Sequence, residues 1–305
     1  MKKTGLFGVI QKPSERMYSH NAGHTLMLIS QLKFNGVKCE VVSGYDLSDF
    51  ETIVITEGVN FREGVYNVFG GVSDELLKRL EALENFGGEI VCFDRYIPDY
   101  SEFCIKRKLD FKFTKKIKRG YTLGDKTKMI LGDSHSLSVF KPDYILNRND
   151  GKTLHGALKV GLKNYINPET RDLICYFGNI DNKFHLCRQK DPFLANELLV
   201  NEYINQLSDL NLDMISVVEI LPIENPSRKI PSTGKYKGQN YFGEPSLRNE
   251  LRLLFNKKIA DSGVNVLKWD LPLDNNGYLS FDAQESKQSV HLRPSFYMFI
   301  DEILK

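Results

Sequence analysis

Two stretches of this chain hold residue types that can carry out acyl transfer together. The first is Met129-Ile130-Leu131-Gly132-Asp133-Ser134-His135-Ser136, and the second is Ser289-Val290-His291-Leu292-Arg293-Pro294. A serine hydroxyl is a weak nucleophile until an adjacent base takes its proton. Histidine, with an unperturbed pKa of about 6.5, suits that role near neutral pH. Ser134 is therefore the candidate nucleophile and His291 the candidate base. Asp133 fits an organising role better than a reacting one, through hydrogen bonds to its own loop. A different chemistry would gather Asp133, His135, Asp181, His185 and His291 around a metal, since carboxylates and imidazoles at strand ends can ligate one. Their spacing is not diagnostic and an acyl-transfer site accounts for the same residues, so no metal is expected. In the plainer reading His135 and His185 are hydrogen-bonding loop residues.

These residues need elements that bring them together. The apolar run Met129–Leu131 reads as a buried strand that stops at Gly132, and α/β proteins place ligands at the carboxyl ends of such strands. Strand-like and helix-like segments alternate along the whole chain, which predicts an α/β fold with parallel sheet. In the first part, strands are expected at 4–10, 37–42, 52–56 and 89–93. Helices are expected at 25–34 and from an N-cap at Ser73 to a stop at Gly87-Gly88. In the second part, strands are expected at 128–131, 172–177, 214–221 and 264–269. Helices are expected at 156–165, 192–207 and 245–262, with a last one ending at Leu304. Residues 222–243 read as a long polar loop. Two domains follow from this order, a small Rossmann-like one over 1–120 and a second over 121–305.

Composition narrows the classes. The 305 residues are 41% hydrophobic and 26% charged with net charge +2, an ordinary soluble balance that calls for no polyanion partner. The chain has no apolar run of about 18 residues, so no membrane span is expected. The five cysteines form neither a CxxC pair nor a metal spacing, which fits a reducing, cytoplasmic setting. Neither GxGxxG nor GxxxxGK[ST] occurs, so no nucleotide cofactor is indicated, and none of any kind is expected. The basic stretch Lys106 to Arg119 has apolar residues at mostly alternating positions and reads as a strand or linker with one solvated face. The sharper alternative is a phosphate-contacting surface for nucleic acid. His20, Asn21 and His24 stand before the first long helix, where an anion or sugar can bind, although a plain loop explains them as well.

The order Gly132-Asp133-Ser134, Gly156, Gly178-Asn179-Ile180-Asp181, Val290-His291 resembles the SGNH (GDSL-type) hydrolase superfamily over residues 126–305. The likeness extends to a branch with Gly-Glu-Ile-Asp-Cys-Arg in its third block and a nearby histidine, here Gly178 to Lys183 with His185. Val217-Val218-Glu219-Ile220-Leu221-Pro222 is also similar to that branch. The resemblance implies a flavodoxin-like three-layer domain, Ser134 as nucleophile, His291 as base, and backbone N–H groups of Ser134 and Gly156 as oxyanion donors. Two positions depart from it. Ile180 stands where the family has its oxyanion asparagine, with Asn179 one place earlier. Gln288 stands where the family has the aspartate that orients the histidine; Asp282 or Glu285 can substitute, or a Ser–His dyad can operate.

Residues 49–98 resemble, in their strands and loops, the N-terminal half of phage DNA β-glucosyltransferases. The matching pieces are Asp49 to Thr56, Val59-Asn60-Phe61, Phe69-Gly70-Gly71 and Glu89 to Pro98. The expectation from the two likenesses is a serine esterase, acyl hydrolase or acyltransferase acting on a carbohydrate or other small-molecule ester. The alternatives are a glycosyltransferase-like or other DNA-modification enzyme of phage type, and a catalytically inactive binding protein on the SGNH scaffold.

Overall fold

The structure is a computed structural model. It describes residues 3–7, 20–42, 44–55, 74–93, 99–106, 108–120, 123–228, 230, 238, 240–285 and 289–304, without the side chains at 20–22, 24–25 and 74–76. Gln288 and most of the loop 229–239 lie outside the described residues, as do 56–73 and 94–98 of the glucosyltransferase-like pattern and the side chains of His20, Asn21 and His24.

Two compact units are present, and the main division between them falls at Leu123–Gly124. The first unit holds β1 (Thr4–Phe7), α1 (His20–Phe34) from His24 on, β2 (Cys39–Val41), β3 (Thr52–Ile55), α2 (Asp74–Asn85), β4 (Glu89–Cys92), α3 (Tyr100–Lys106) and β5 (Ile117–Arg119). Its sheet runs β2-β1-β3-β4-β5, parallel throughout. Successive residues of a strand face opposite sides. Ile53 and Ile55 accordingly join Leu80, Leu83, Ile90 and Cys92 on one side, whereas Val54 joins Leu6, Leu28 and Leu32 on the other.

The basic stretch ends in β5, which pairs with β4. Acidic residues face parts of it: Glu84 accepts the N–H groups of Thr114 and Lys115, Lys118 is paired with Glu89, and Lys106 with Glu102.

The second unit holds β6 (Asp125–Gly132), β7 (Tyr144–Arg148), α4 (Leu154–Val160), β8 (Asp172–Tyr176), α5 (Asn179–Phe184), α6 (Pro192–Ser208), β9 (Met214–Val218), α7 (Pro245–Asp261), β10 (Asn265–Leu267) and α8 (Ile300–Leu304). Its sheet, β10-β9-β8-β6-β7, is also parallel throughout. Numbered by appearance, the strands of both units follow the order 2-1-3-4-5, the flavodoxin-like arrangement.

Met129, Leu131, Leu173 and Cys175 pack with Leu158, Leu199, Val200, Tyr203, Leu251 and Phe255 of the flanking helices. Each fully buried aliphatic side chain contributes roughly 1.5–3 kcal/mol, so the strand leading to Ser134 is firmly anchored. Local signals fix the helix starts. Asp191 accepts the N–H groups of Phe193 and Leu194, and Pro192 and Pro245 occupy first-turn positions where no N–H is needed. Three elements, β7, α3 and α5, were not expected from sequence. β7 is an edge strand and only Tyr144 in it is fully buried, so it lacks the apolar run that marks an inner strand. Among the described residues no helix is long and apolar enough to cross a membrane.

Candidate active site

Ser134 lies directly after β6, the strand flanked by β7 and β8 where the direction of chain progression reverses. The strand must end in glycine. A Cβ at Gly132 would stand 2.4 Å from the carbonyl oxygen of Tyr176 and 2.7 Å from Cβ of Ser136. Asp133 then caps the 3-10 turn Ser134–Val139. Its Oδ1 accepts the backbone N–H of His135 at 2.8 Å, and its carbonyl accepts Ser136 N–H and Oγ–H at 3.1 and 2.6 Å. Asp133 thus organises the loop, and Ser134 begins the turn.

His291 arrives from the far end of the unit. Residues 283–285 and 291–293 run antiparallel: Glu285 N–H donates to the His291 carbonyl at 3.1 Å, and Arg293 N–H to the Ala283 carbonyl at 2.9 Å, around a bridge between Gln284 and Leu292. This register puts His291 Nε2 3.0 Å from Ser134 Oγ. Glu285 Oε2 lies 3.7 Å from His291 Nδ1, within ion-pair range. Ser289 Oγ donates to Glu285 Oε2 at 2.7 Å and accepts His291 N–H at 3.0 Å, tying carboxylate and imidazole into one small loop. A carboxylate beside Nδ1 favours the proton there and leaves Nε2 free to accept the serine O–H. Of the two carboxylates considered from sequence, Glu285 is the one facing His291; Asp282 is exposed. Ser134, His135, Leu137, His291, Leu292 and Tyr297 line a small depression.

The remaining sequence candidates hold the site's frame. Asp181 Oδ2 and Oδ1 accept the N–H groups of Leu154 and His155 at 2.6 and 3.2 Å, and burial pushes its carboxyl up to about 6. Gly156 N–H donates to Thr153 Oγ1 at 2.9 Å. The first three N–H groups of α4 are therefore spent on capping side chains, which takes Gly156 out of the expected oxyanion role. Asn179 Oδ1 accepts Leu221 N–H at 3.0 Å and so braces the segment after β9. His185 ends α5, and its N–H donates to the Asp181 carbonyl at 2.9 Å.

His135 is buried directly behind the pair. Its Nδ1 is 2.9 Å from Asp133 Oδ1, and its ring centroid is 5.1 Å from that of His291. Burial, and then the Lys183 ammonium, push its pKa down to about 4, so the ring is neutral. Lys183 and Glu224 were not singled out from sequence and stand next to this imidazole. Among the described residues no cluster of three or more His, Cys, Asp or Glu is arranged to hold a metal.

The sequence matches no protein-family model and no curated protein. The solved structures this chain is similar to include GDSL-like lipases, esterases and acylhydrolases. A GDSL-like lipase from Bacteroides thetaiotaomicron is 13% identical, with a TM-score of 0.40 over 59% of this chain and 86% of that one. A psychrotrophic esterase from Pseudoalteromonas is 15% identical, with a TM-score of 0.34 over 59% of this chain and 94% of that one. A lipase/acylhydrolase from Enterococcus faecalis is 12% identical, with a TM-score of 0.35 over 58% and 91%.

Proposed function

We propose that this chain is a serine acyl hydrolase of SGNH type, with Ser134 as nucleophile and His291 as general base. The observation that carries the reading is the 3.0 Å contact between Ser134 Oγ and His291 Nε2, with Glu285 at the far side of the same imidazole. Ser134 Oγ attacks the ester carbonyl while its proton passes to His291 Nε2. The oxyanion faces the Ser134 backbone N–H, which is hydrogen-bonded to no group among the described residues. His291 then protonates the departing alcohol, leaving an ester on Ser134. Water gives a proton to His291 and attacks that ester, and the acid leaves as Ser134 regains its proton.

The polar sequence 222–243 supports a carbohydrate-type alcohol component. The test is intact-mass spectrometry after treatment with a fluorophosphonate, wild type beside Ser134→Ala, followed by turnover of acetylated sugars. One stoichiometric adduct on the wild type and none on the variant is expected. A wild-type protein that takes no adduct overturns the proposal.

A further inference from the structure

Two buried ions behind the catalytic pair have no part in the reaction steps above. Lys183 Nζ is ion-paired with Glu224 Oε1 at 2.5 Å, and the two side chains are 4% and 0% exposed. Keeping an ion pair in such a place is costly, even with Arg248 also facing Glu224, and an apolar pair of similar volume often stabilises a fold as well or better. The contacts of this pair indicate what it does. Lys183 Nζ lies 3.2 Å from His135 Nε2. An ammonium has only N–H donors, so Nε2 must be the acceptor and the ring proton must sit on Nδ1. There Asp133 Oδ1 receives it at 2.9 Å. The alternative tautomer would aim an N–H at the ammonium and a lone pair at the carboxylate.

This fixed ring touches both halves of the site. His135 and Asp133 flank Ser134 in the chain, and His135 Nε2 stands 3.1 Å from the carbonyl oxygen of Val290, the residue before His291, in a contact to which the Nδ1–H tautomer donates no proton. Val290 also packs against Ile180, Phe184 and Tyr241, so α5, which carries Lys183, reaches the base-bearing segment by a second route.

We propose that Lys183, held in place by Glu224, is a positioning residue that fixes the tautomer and seat of His135 and through it the alignment of Ser134 with His291. This rests on the acyl-hydrolase reading, and its test is separable from the test of that reading. The full-length chain is compared as wild type, Lys183→Met/Glu224→Met and Lys183→Arg. The double variant removes both charges of the pair, but Glu224 also faces the buried Arg248, so its melting curve is recorded before any rate is read.

Three quantities are read: the rate of fluorophosphonate adduct formation at Ser134, kcat and KM on 4-nitrophenyl acetate, and the His135 tautomer from imidazole 15N shifts. In the double variant labelling is expected to slow roughly 10- to 100-fold, the size of effect a slight misplacement of reacting groups produces. We expect kcat to fall with KM little changed and the single Nδ1–H tautomer to be lost. Lys183→Arg restores most of the rate. A folded double variant with wild-type labelling rate and tautomer overturns the proposal. Should the double variant not fold, Lys183→Met alone replaces it, since Glu224 keeps Arg248 beside it, and an unchanged rate and tautomer there are equally fatal. Absence of an adduct on the wild type overturns the hydrolase reading instead, and the 15N tautomer alone then decides whether Lys183 fixes the ring.

Discussion

The first sheet and the second share one strand order, yet they bury very different side chains. Among the described residues, the first unit's buried polar side chains are Ser30 and Gln31, both on α1, and Ser30 Oγ only donates to Met27 one turn back. The second unit buries Asp133, His135, Asn179, Asp181, Lys183 and Glu224 at or near its strand ends. Polar groups are costly to bury unless they are paired, and a plain α/β core needs few of them. The same topology therefore encloses an apolar core in one unit and a set of buried polar side chains at the strand ends in the other. Strand order alone does not carry function.

The contrast is tested most severely at the catalytic pair. Ser134→Ala or His291→Ala should each lower ester turnover by roughly 10⁴-fold or more, because each removes a member of a unit that works only as a whole. Melting temperature should scarcely change, since both side chains stand at the edge of the depression. Ile53→Ala is the counterpart in the first unit. Ile53 is fully buried in β3, and its truncation should cost about 2–5 kcal/mol of stability. Active-site titration with the fluorophosphonate should nonetheless show unchanged kcat per folded molecule. A fall in kcat per labelled site would mean that the first unit takes part in catalysis.

Acid should separate the two units further. His135 has a folded-state pKa of about 4, and the unfolded reference is about 6.5. Between those values the unfolded chain binds a proton that the folded one refuses, so stability falls as pH is lowered from 6.5 toward 4. The full effect is about 3 kcal/mol. Asp181, pushed up to about 6, acts with the opposite sign: its protonation favours the folded state as pH falls from 6 toward 3.8, offsetting part of that loss. Hydrogen exchange at β8 amides should therefore accelerate relative to β3 amides as pH drops through this window, after correction for intrinsic exchange. In His135→Gln the relative acceleration should vanish or reverse. Equal pH dependence in wild type and variant would show that the imidazole is not held as described.

Much of this was legible in the sequence, for physical reasons that also mark its limits. An apolar run closing on Gly-Asp-Ser announces a strand end with a presented serine, because only a glycine passes the Tyr176 carbonyl there. The partner histidine was legible from its place before the last helix. Lys183 was not. Gly178-Asn179-Ile180-Asp181-Asn182-Lys183 is polar enough to read as an exposed turn, yet every residue of α5 is buried, with Ile180 and Phe184 packed against Tyr241. The commitment of Gly156 N–H to Thr153 was equally hidden, since a helix start shows its candidate caps but not which N–H each one takes.

The orienting carboxylate is the finest point on which the two readings differ. Sequence spacing left Asp282, Glu285 and Gln288 open, because the choice depends on how 283–285 pairs with 291–293. That register turns Glu285 toward His291 and leaves Asp282 exposed. Glu285→Gln keeps the size of the side chain but removes the charge that stabilises the imidazolium formed as Ser134 attacks. At 3.7 Å and partly open to solvent, that charge should be worth less than a carboxylate bonded directly to the ring. We therefore expect kcat to fall about 10²-fold, or about 2.7 kcal/mol, with KM nearly unchanged. Asp282→Asn should leave both within about twofold, as expected of a surface substitution. The reverse pattern would mean that the strand pairing slips by the odd number of residues needed to turn the other carboxylate inward.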